Sequence, residues 1–203
     1  VTGIPFPPTD SKTLYIRTDI GGIYRYDFDK QTWAYLADKV SVDDPAQTYP
    51  LAIALDENDP NKLFFTCGDK RSNYICISDD KGENITQKPL PCSVHGNEVG
   101  RATGDRLIYK SGRLYFGSQT AGIIYSEDMG ESWQSIDLFG EKNISLIWTD
   151  SEGKLFIAGC SGEANSPDGV TRGHTLYCST DGLKSFVPLT APNPVKYENS
   201  SYY

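Results

Sequence analysis

The chain has 203 residues, of which 38% are hydrophobic, and it carries a formal net charge of −8. Phosphate backbones select basic faces, so this acidic balance argues against nucleic-acid binding and suits solubility or a neutral or cationic ligand. No apolar run approaches the about 18 residues that a membrane-spanning helix needs, so the sequence predicts no membrane partner.

Four segments of similar design follow one another along the chain. Each pairs a strand that contains Leu and an aromatic residue with a second short strand, and these pairs are 13–16 with 23–27, 62–65 with 74–78, 113–117 with 123–126, and 154–157 with 175–179. A large closing residue recurs at intervals of 52, 48 and 53 residues, at Trp33, Ile85, Trp133 and Phe186. A leading strand is expected before each pair, at 3–6, 51–55, 106–109 and 144–148.

A repeat of about 50 residues, built from short strands and turns, predicts the four-stranded blades of a β-propeller. The sequence therefore predicts an all-β fold with four blades at about 1–38, 39–90, 91–138 and 139–190, followed by a loop or tail at 191–203. An arc of four blades leaves an apolar face uncovered, so we expect the remaining blades to come from a longer chain or from another copy.

The turn between the third and fourth strands of a segment carries the Ser-x-Asp-x-Gly-x-x-Trp pattern of the Asp-box, or BNR repeat. The pattern is complete from Ser126 to Trp133, ends in Ile85 in the second segment, has its glycine moved by one place in the fourth, and keeps only Asp27 and Trp33 in the first. An Asp carboxylate can accept hydrogen bonds from turn amides, and Gly adopts positive φ without strain. We therefore expect these aspartates to be structural.

Strand order sorts the loops onto two faces of the molecule. In an up-and-down meander, the first and third turns of each blade lie on one face, which the Asp-boxes mark. The second turn and the connection to the next blade lie on the other, which we name the ligand face. Three unusual loops fall there, at 18–22, 95–106 and 160–174. Because loops on a rigid scaffold concentrate function, the ligand face is predicted to carry the chemistry.

Several stretches resemble the family 74 glycoside hydrolases, the xyloglucanases. Residues 1–4 and 14–25, which include Thr18-Asp19-Ile20-Gly21-Gly22, are similar to the opening of that family. Residues 52–61 resemble its second blade, 78–82 its first clear Asp-box, and 96–107 its glycine-rich stretch before the third blade. The resemblance extends to about residue 135, and the remainder is a generic Asp-box propeller.

The resemblance implies two seven-bladed propellers that face each other across a cleft and hydrolyse β-1,4-glucan backbones, chiefly the plant cell-wall polysaccharide xyloglucan, with inversion. Each propeller supplies one catalytic aspartate, and the position of the first maps onto Asp19, the expected general base. The second carboxylate would lie outside this chain. An inverting enzyme needs its acid and base about 6.5–9.5 Å apart and requires no cofactor. The resemblance also implies a secreted protein, whose signal peptide is not in this sequence.

Neighbouring polar and aromatic residues are the expected substrate contacts. Four polar residues of the 95–106 loop are expected to hydrogen-bond sugar hydroxyls or brace Asp19, and two tyrosines are expected to stack on sugar rings or to serve packing. These residues are Asn97, Glu98, Arg101, Arg106, Tyr24 and Tyr74.

The sequence predicts no metal site, because its five cysteines form no CxxC pair and it contains two histidines. Buried free thiols are the expected state of the cysteines. Cys67 and Cys76 are expected on neighbouring strands, as are Cys160 and Cys178.

Three other functions fit the repeats. One is a non-catalytic Asp-box propeller that binds a glycan or a protein. Another is a sialidase, which needs several arginines around a carboxylate and an early Arg-Ile-Pro motif that is missing here. The third is a receptor or assembly-factor propeller, against which the Thr18–Gly22 motif argues.

Overall fold

The computed structural model of the protein describes residues 1–36, 49–68, 72–94, 96, 105–138, 143–160 and 175–189. Within these ranges every regular element is a β-strand, and the strands pair antiparallel in chain order. No helix in the same ranges is long and apolar enough to cross a membrane. The predicted all-β fold of short meandering sheets is confirmed.

The strands form four successive sheets, which correspond to the four predicted blades. Blade 1 contains β1 (Thr13–Arg17), β2 (Ile23–Asp27) and β3 (Thr32–Tyr35). Blade 2 contains β4 (Pro50–Leu55), β5 (Leu63–Cys67), β6 (Ser72–Ser78) and β7 (Thr86–Val94). Blade 3 contains β8 (Leu107–Lys110), β9 (Arg113–Gly117), β10 (Ile123–Ser126) and β11 (Gln134–Ile136). Blade 4 contains β12 (Asn143–Thr149), β13 (Leu155–Cys160), β14 (Thr175–Ser179) and β15 (Val187–Leu189).

The leading strand expected at 3–6 in blade 1 is reduced to a single bridge between Gly3 and Arg17. Backbone hydrogen bonds still hold this segment against β1, from Arg17 N to Gly3 O at 2.9 Å and from Tyr15 N to Pro5 O at 3.1 Å. Pro5 has no N–H to donate to a ladder, so the segment cannot continue as a regular strand. The sheet of blade 1 is accordingly three-stranded.

The other leading strands are β4, β8 and β12, each within about two residues of its expected position. Strand β7 runs to Val94, which pairs with Ser72, so the second blade extends past the boundary expected at residue 90. The remaining blade limits stay predictions.

Among the residues that the structure describes, the core consists of three apolar clusters, each between two successive blades. Strand β5 is buried on both of its faces, since Phe64 packs toward blade 3 while Phe65 packs toward blade 1. Side chains alternate across a strand, so a central blade must be apolar on both sides. This is why the Leu-aromatic strands appear in the sequence as continuous apolar runs rather than as alternating patterns.

The Asp-box turns form closed networks around one carboxylate each. In blade 3, Ser126 Oγ donates to Asp128 Oδ1 at 2.8 Å and accepts from Gly130 N at 2.8 Å, while Ser132 N donates to the same carboxylate at 2.9 Å. Hydrogen bonds from Ser132 and Ser126 lower the pKa of Asp128 to about 2. The carboxylate is committed to the turn, which supports a structural role.

Two consecutive positions of the Asp-box turn adopt left-handed backbone conformation. The φ angles are 61° and 87° at Lys81 and Gly82, and 70° and 74° at Gly182 and Leu183. A residue that is not glycine therefore occupies the first position in blade 2 and the second in blade 4. Because both positions need positive φ, the glycine can stand at either one, which explains its displacement in the fourth repeat.

Cationic side chains link the Asp-box turns of blades 2 and 3 to the preceding blade. Arg25 Nη1 of blade 1 donates to Lys81 O at 2.6 Å, and Lys88 Nζ of blade 2 donates to Met129 O at 2.8 Å. Lys81 Nζ also contacts Asp10 Oδ2 at 2.6 Å, and this hydrogen bond leads the causes that lower the pKa of Asp10 to about 2.

Candidate functional site

Asp19 lies in a tight turn immediately after β1, between that strand and β2. Thr18 N donates to Gly22 O at 3.1 Å, and Thr18 Oγ1 donates to the same carbonyl at 2.9 Å. Gly22 closes the turn with a φ of 96°, which a residue without Cβ adopts freely. The Asp19 side chain is half-buried, and its Oδ1 is shielded from solvent. The turn therefore fixes the backbone on both sides of this carboxylate.

Tyr24 packs beneath the same turn. Its ring lies 5.0 Å from that of Tyr35, centroid to centroid. A Cβ built on Gly21 would lie 3.3 Å from the Tyr24 hydroxyl and 3.4 Å from Thr18 Oγ1, so the hydroxyl sits close to the turn backbone. These contacts agree with a packing role for Tyr24, one of the two roles expected from the sequence. Stacking of Tyr24 on a sugar stays a prediction.

Three backbone hydrogen bonds connect the Asp19 turn to the start of the 95–106 loop. Tyr49 N donates to Ile20 O at 3.0 Å, Gly68 N donates to Tyr49 O at 3.2 Å, and Gly96 N donates to Gly68 O at 2.8 Å. The four residues belong to four different loops. Loops predicted to share the ligand face are therefore in direct contact, at least up to Gly96.

Blade 3 repeats the backbone of the Asp19 turn. Ser118 N donates to Gly122 O at 2.9 Å, and Gly122 has a φ of 74°. Gln119 stands at the position of Asp19 and is buried. The turn itself is thus a feature of the propeller scaffold, whereas the carboxylate belongs to blade 1. Sequence reasoning missed this repeat, although the pair Ser118 and Gly122 matches Thr18 and Gly22 in spacing.

Arg17 ends β1, two residues before Asp19, and is 2% exposed. Its Nη2 donates to Thr2 O at 3.1 Å, while Nε and Nη1 have no hydrogen-bond partner in the described part of the chain. Burial lowers the pKa of Arg17, and the Asp105 carboxylate of blade 3 opposes that shift. A buried guanidinium thus lies at the point where β1 ends and the Asp19 turn begins. The sequence signal was a charged residue closing an apolar strand.

Arg106 was expected on the ligand face as a contact for sugar hydroxyls or a brace for Asp19, but it is 1% exposed. Its Nη1 donates to Asn143 Oδ1 at 3.2 Å and to Ile144 O, both in blade 4. The side chain is directed between blades because its backbone already pairs with the end of β9, where Gly117 N donates to Arg106 O at 2.7 Å. Arg106 therefore joins two blades, and this geometry gives it no access to a ligand.

Of the remaining predicted substrate contacts, the described part of the chain includes Tyr74. Tyr74 lies on β6 opposite Pro89, with 38% of its surface exposed, so a role in sugar stacking stays a prediction. Asn97, Glu98 and Arg101 lie outside the described residues, as do residues 161–174 of the long insertion.

Four cysteines are free. Cys67 and Cys76 are buried on the neighbouring strands β5 and β6, while Cys92 and Cys178 are half-buried. Burial raises the pKa of the Cys67 thiol well above its usual range. No group of three or more His, Cys, Asp or Glu side chains within the described ranges is placed to hold a metal ion.

The chain is similar to xyloglucanases in sequence. No protein-family model matches it. It is 34% identical over 170 residues to an oligoxyloglucan-reducing end-specific xyloglucanase of Emericella nidulans, covering 77% of this chain and 21% of that protein. A xyloglucanase of a Paenibacillus species is 29% identical over 206 residues, covering 90% of this chain and 20% of that protein. The chain thus spans about a fifth of the length of these curated relatives.

The fold gives the same relationship. The crystal structure of a family 74 enzyme from Niastella koreensis matches with a TM-score of 0.79 and 29% sequence identity, over 94% of this chain and 29% of that one. Sequence similarity and structural similarity therefore select the same group of proteins. In sequence and in fold, the chain belongs to the family 74 glycoside hydrolases.

Proposed function

We propose that the chain is part of a glycoside hydrolase that cleaves β-1,4-glucan backbones, with xyloglucan as its substrate. The observation that carries this proposal is the Asp19 carboxylate in a hydrogen-bonded turn, on the face predicted to bind the ligand, in a chain whose relatives are named xyloglucanases. A polysaccharide of the plant cell wall lies outside cells, so we infer an extracellular location for the protein.

Asp19 is the proposed general base of an inverting reaction. The carboxylate takes a proton from water as the water oxygen bonds to the anomeric carbon, while an acid on the opposite side protonates the departing glycosidic oxygen. The two carboxyl groups of such enzymes lie about 6.5–9.5 Å apart, leaving room for that water. The acid is proposed to come from outside this chain, on a second propeller.

Two variants of the full-length protein test the role of Asp19. Asp19→Asn keeps the shape of the side chain and removes its basicity, so we expect hydrolysis of xyloglucan to fall by about 10²–10⁴-fold. Asp29→Asn is the matched control, because Asp29 is exposed on the Asp-box face beside Lys12. Proton NMR of the first-formed product should give the inverted anomer. Unchanged hydrolysis by Asp19→Ala would refute Asp19 as the general base, whereas an unmodified protein that binds xyloglucan without hydrolysing it would favour a non-catalytic propeller.

We also propose that further blades complete this propeller. Blade 4 exposes apolar side chains, among them Trp148 at 53% and Val187 at 61%. Repeat units normally bury such a face against a neighbour. The intact mass of the native protein tests this, since a stable monomer of 22.4 kDa would contradict it.

A further inference from the structure

We propose that Gly96 is a positioning residue, which holds the Asp19 turn in place through a relay of backbone hydrogen bonds across Tyr49 and Gly68. The inference rests on the proposed function, because Asp19 must be a reacting group for its position to matter to turnover. Gly96 itself touches neither substrate nor reacting atoms in this scheme.

The relay is continuous from one loop to the next. Ile20, adjacent to Asp19, accepts from the amide of Tyr49, whose carbonyl accepts from Gly68, whose carbonyl accepts from Gly96. Tyr49 and Gly68 each use both their N–H and their C=O in it, and both have positive φ, at 57° and 118°. For Tyr49, which is not glycine, this conformation is strained and persists only where the surroundings determine it, so the relay is constrained at Tyr49.

The close approach at Gly96 makes the relay sensitive to a single atom. A Cβ at this position would lie 1.8 Å from Tyr49 O and 2.8 Å from Gly68 O. Both neighbours are backbone atoms, which cannot rotate away as the end of a side chain can. Even alanine must therefore displace the Tyr49 carbonyl, and the N–H of the same residue is the group that donates to Ile20 O.

Gly21 and Gly112 lack this close approach to backbone atoms. A Cβ at Gly21 would meet only the side chains of Tyr24 and Thr18 beyond chain neighbours, at 3.3 Å and 3.4 Å. A Cβ at Gly112 would have nothing within 4 Å, although its φ of 79° makes alanine strained there too. Gly112→Ala is thus a control that carries backbone strain without a link to Asp19.

The first experiment compares Gly96→Ala with Gly112→Ala in the full-length protein, using xyloglucan oligosaccharides as substrate. A misplacement of about 1 Å at a catalytic group can cost about 10²-fold in rate, so we expect Gly96→Ala to lower kcat by about that factor and to change KM much less. Gly112→Ala should leave kcat unchanged. A folded Gly96→Ala protein with the kcat of the unmodified protein would overturn the proposal.

The second experiment needs no variant. Hydrogen–deuterium exchange of the unmodified protein should find the amides of Tyr49, Gly68 and Gly96 protected to a similar degree, as members of one unit. Exchange of these amides at the rate of an exposed turn would overturn the relay, even if Gly96→Ala fails to fold. Full hydrolysis by Asp19→Ala would refute the proposed role of Asp19 and leave the exchange result to decide on the relay.

Discussion

Replacing Gly82 by alanine should destabilise the protein by about 2–4 kcal/mol. Gly82 has a φ of 87°, and left-handed backbone costs a residue with Cβ about 1–2 kcal/mol. The new Cβ would lie 2.6 Å from Leu36 Cδ2, and overpacking costs about 1–3 kcal/mol. Alanine restricts the unfolded chain, which returns about 0.4–1 kcal/mol. Leu36 is 3% exposed, so its side chain has little room to move aside.

The matched variant is Gly112→Ala, which has a φ of 79° and open space around the new Cβ. It carries the backbone cost alone, so we expect a loss of about 1 kcal/mol. Urea unfolding of the two full-length variants measures the difference. In a double-mutant cycle, Leu36→Ala should relieve part of the cost of Gly82→Ala. Equal losses in the two variants, with no coupling to Leu36, would refute the argument from packing.

Two further predictions concern contacts between blades. Lys81→Gln should raise the pKa of Asp10 from about 2 toward 3.8, because the hydrogen bond from Lys81 is the largest cause of the lowered pKa. Carboxyl NMR measures this change. Because the pKa is lowered in the folded state, Asp10 stabilises the protein at pH values above its unfolded pKa of 3.8, and this stability is lost as pH falls through about 2. In acid, Lys81→Gln should therefore unfold at a higher pH than the unmodified protein. Gly117→Ala should cost about 1–3 kcal/mol in urea unfolding, since its Cβ would lie 2.7 Å from Ile144 Cγ2. An unmoved Asp10 titration, or a Gly117→Ala protein of unchanged stability, would contradict them.

The sequence was sufficient for features that depend on local pattern. Leu-aromatic strands such as Leu63–Cys67 stand where they were expected, because a strand buried on both faces must be apolar throughout. The order of the strands was enough to predict that the turn of Asp19 and the 95–106 loop share one face, and hydrogen bonds connect that turn to Gly96. Neither conclusion needed contacts between distant residues.

Other features depend on such contacts and could not be anticipated. The position of Arg106 in the 95–106 loop predicted a place on the ligand face. In the structure its side chain donates hydrogen bonds to Asn143 and Ile144 of the next blade. The glycine of the fourth Asp-box stands one place from its usual position, and the positive φ angles of Gly182 and Leu183 were needed to explain this displacement. The burial of Arg17 likewise follows from packing between blades, which no repeat in the sequence encodes.

The hydrogen bonds that Arg25 and Lys88 donate to the Asp-box turn of the following blade have a consequence for folding. The carbonyls of Lys81 and Met129 receive these bonds from the preceding blade, so each turn gains part of its stability from its neighbour. Stability in repeat proteins is approximately a sum of unit terms and nearest-neighbour terms. Folding should then propagate along the arc from blade to blade, and damage to one Asp-box should weaken cooperativity locally instead of unfolding the whole array.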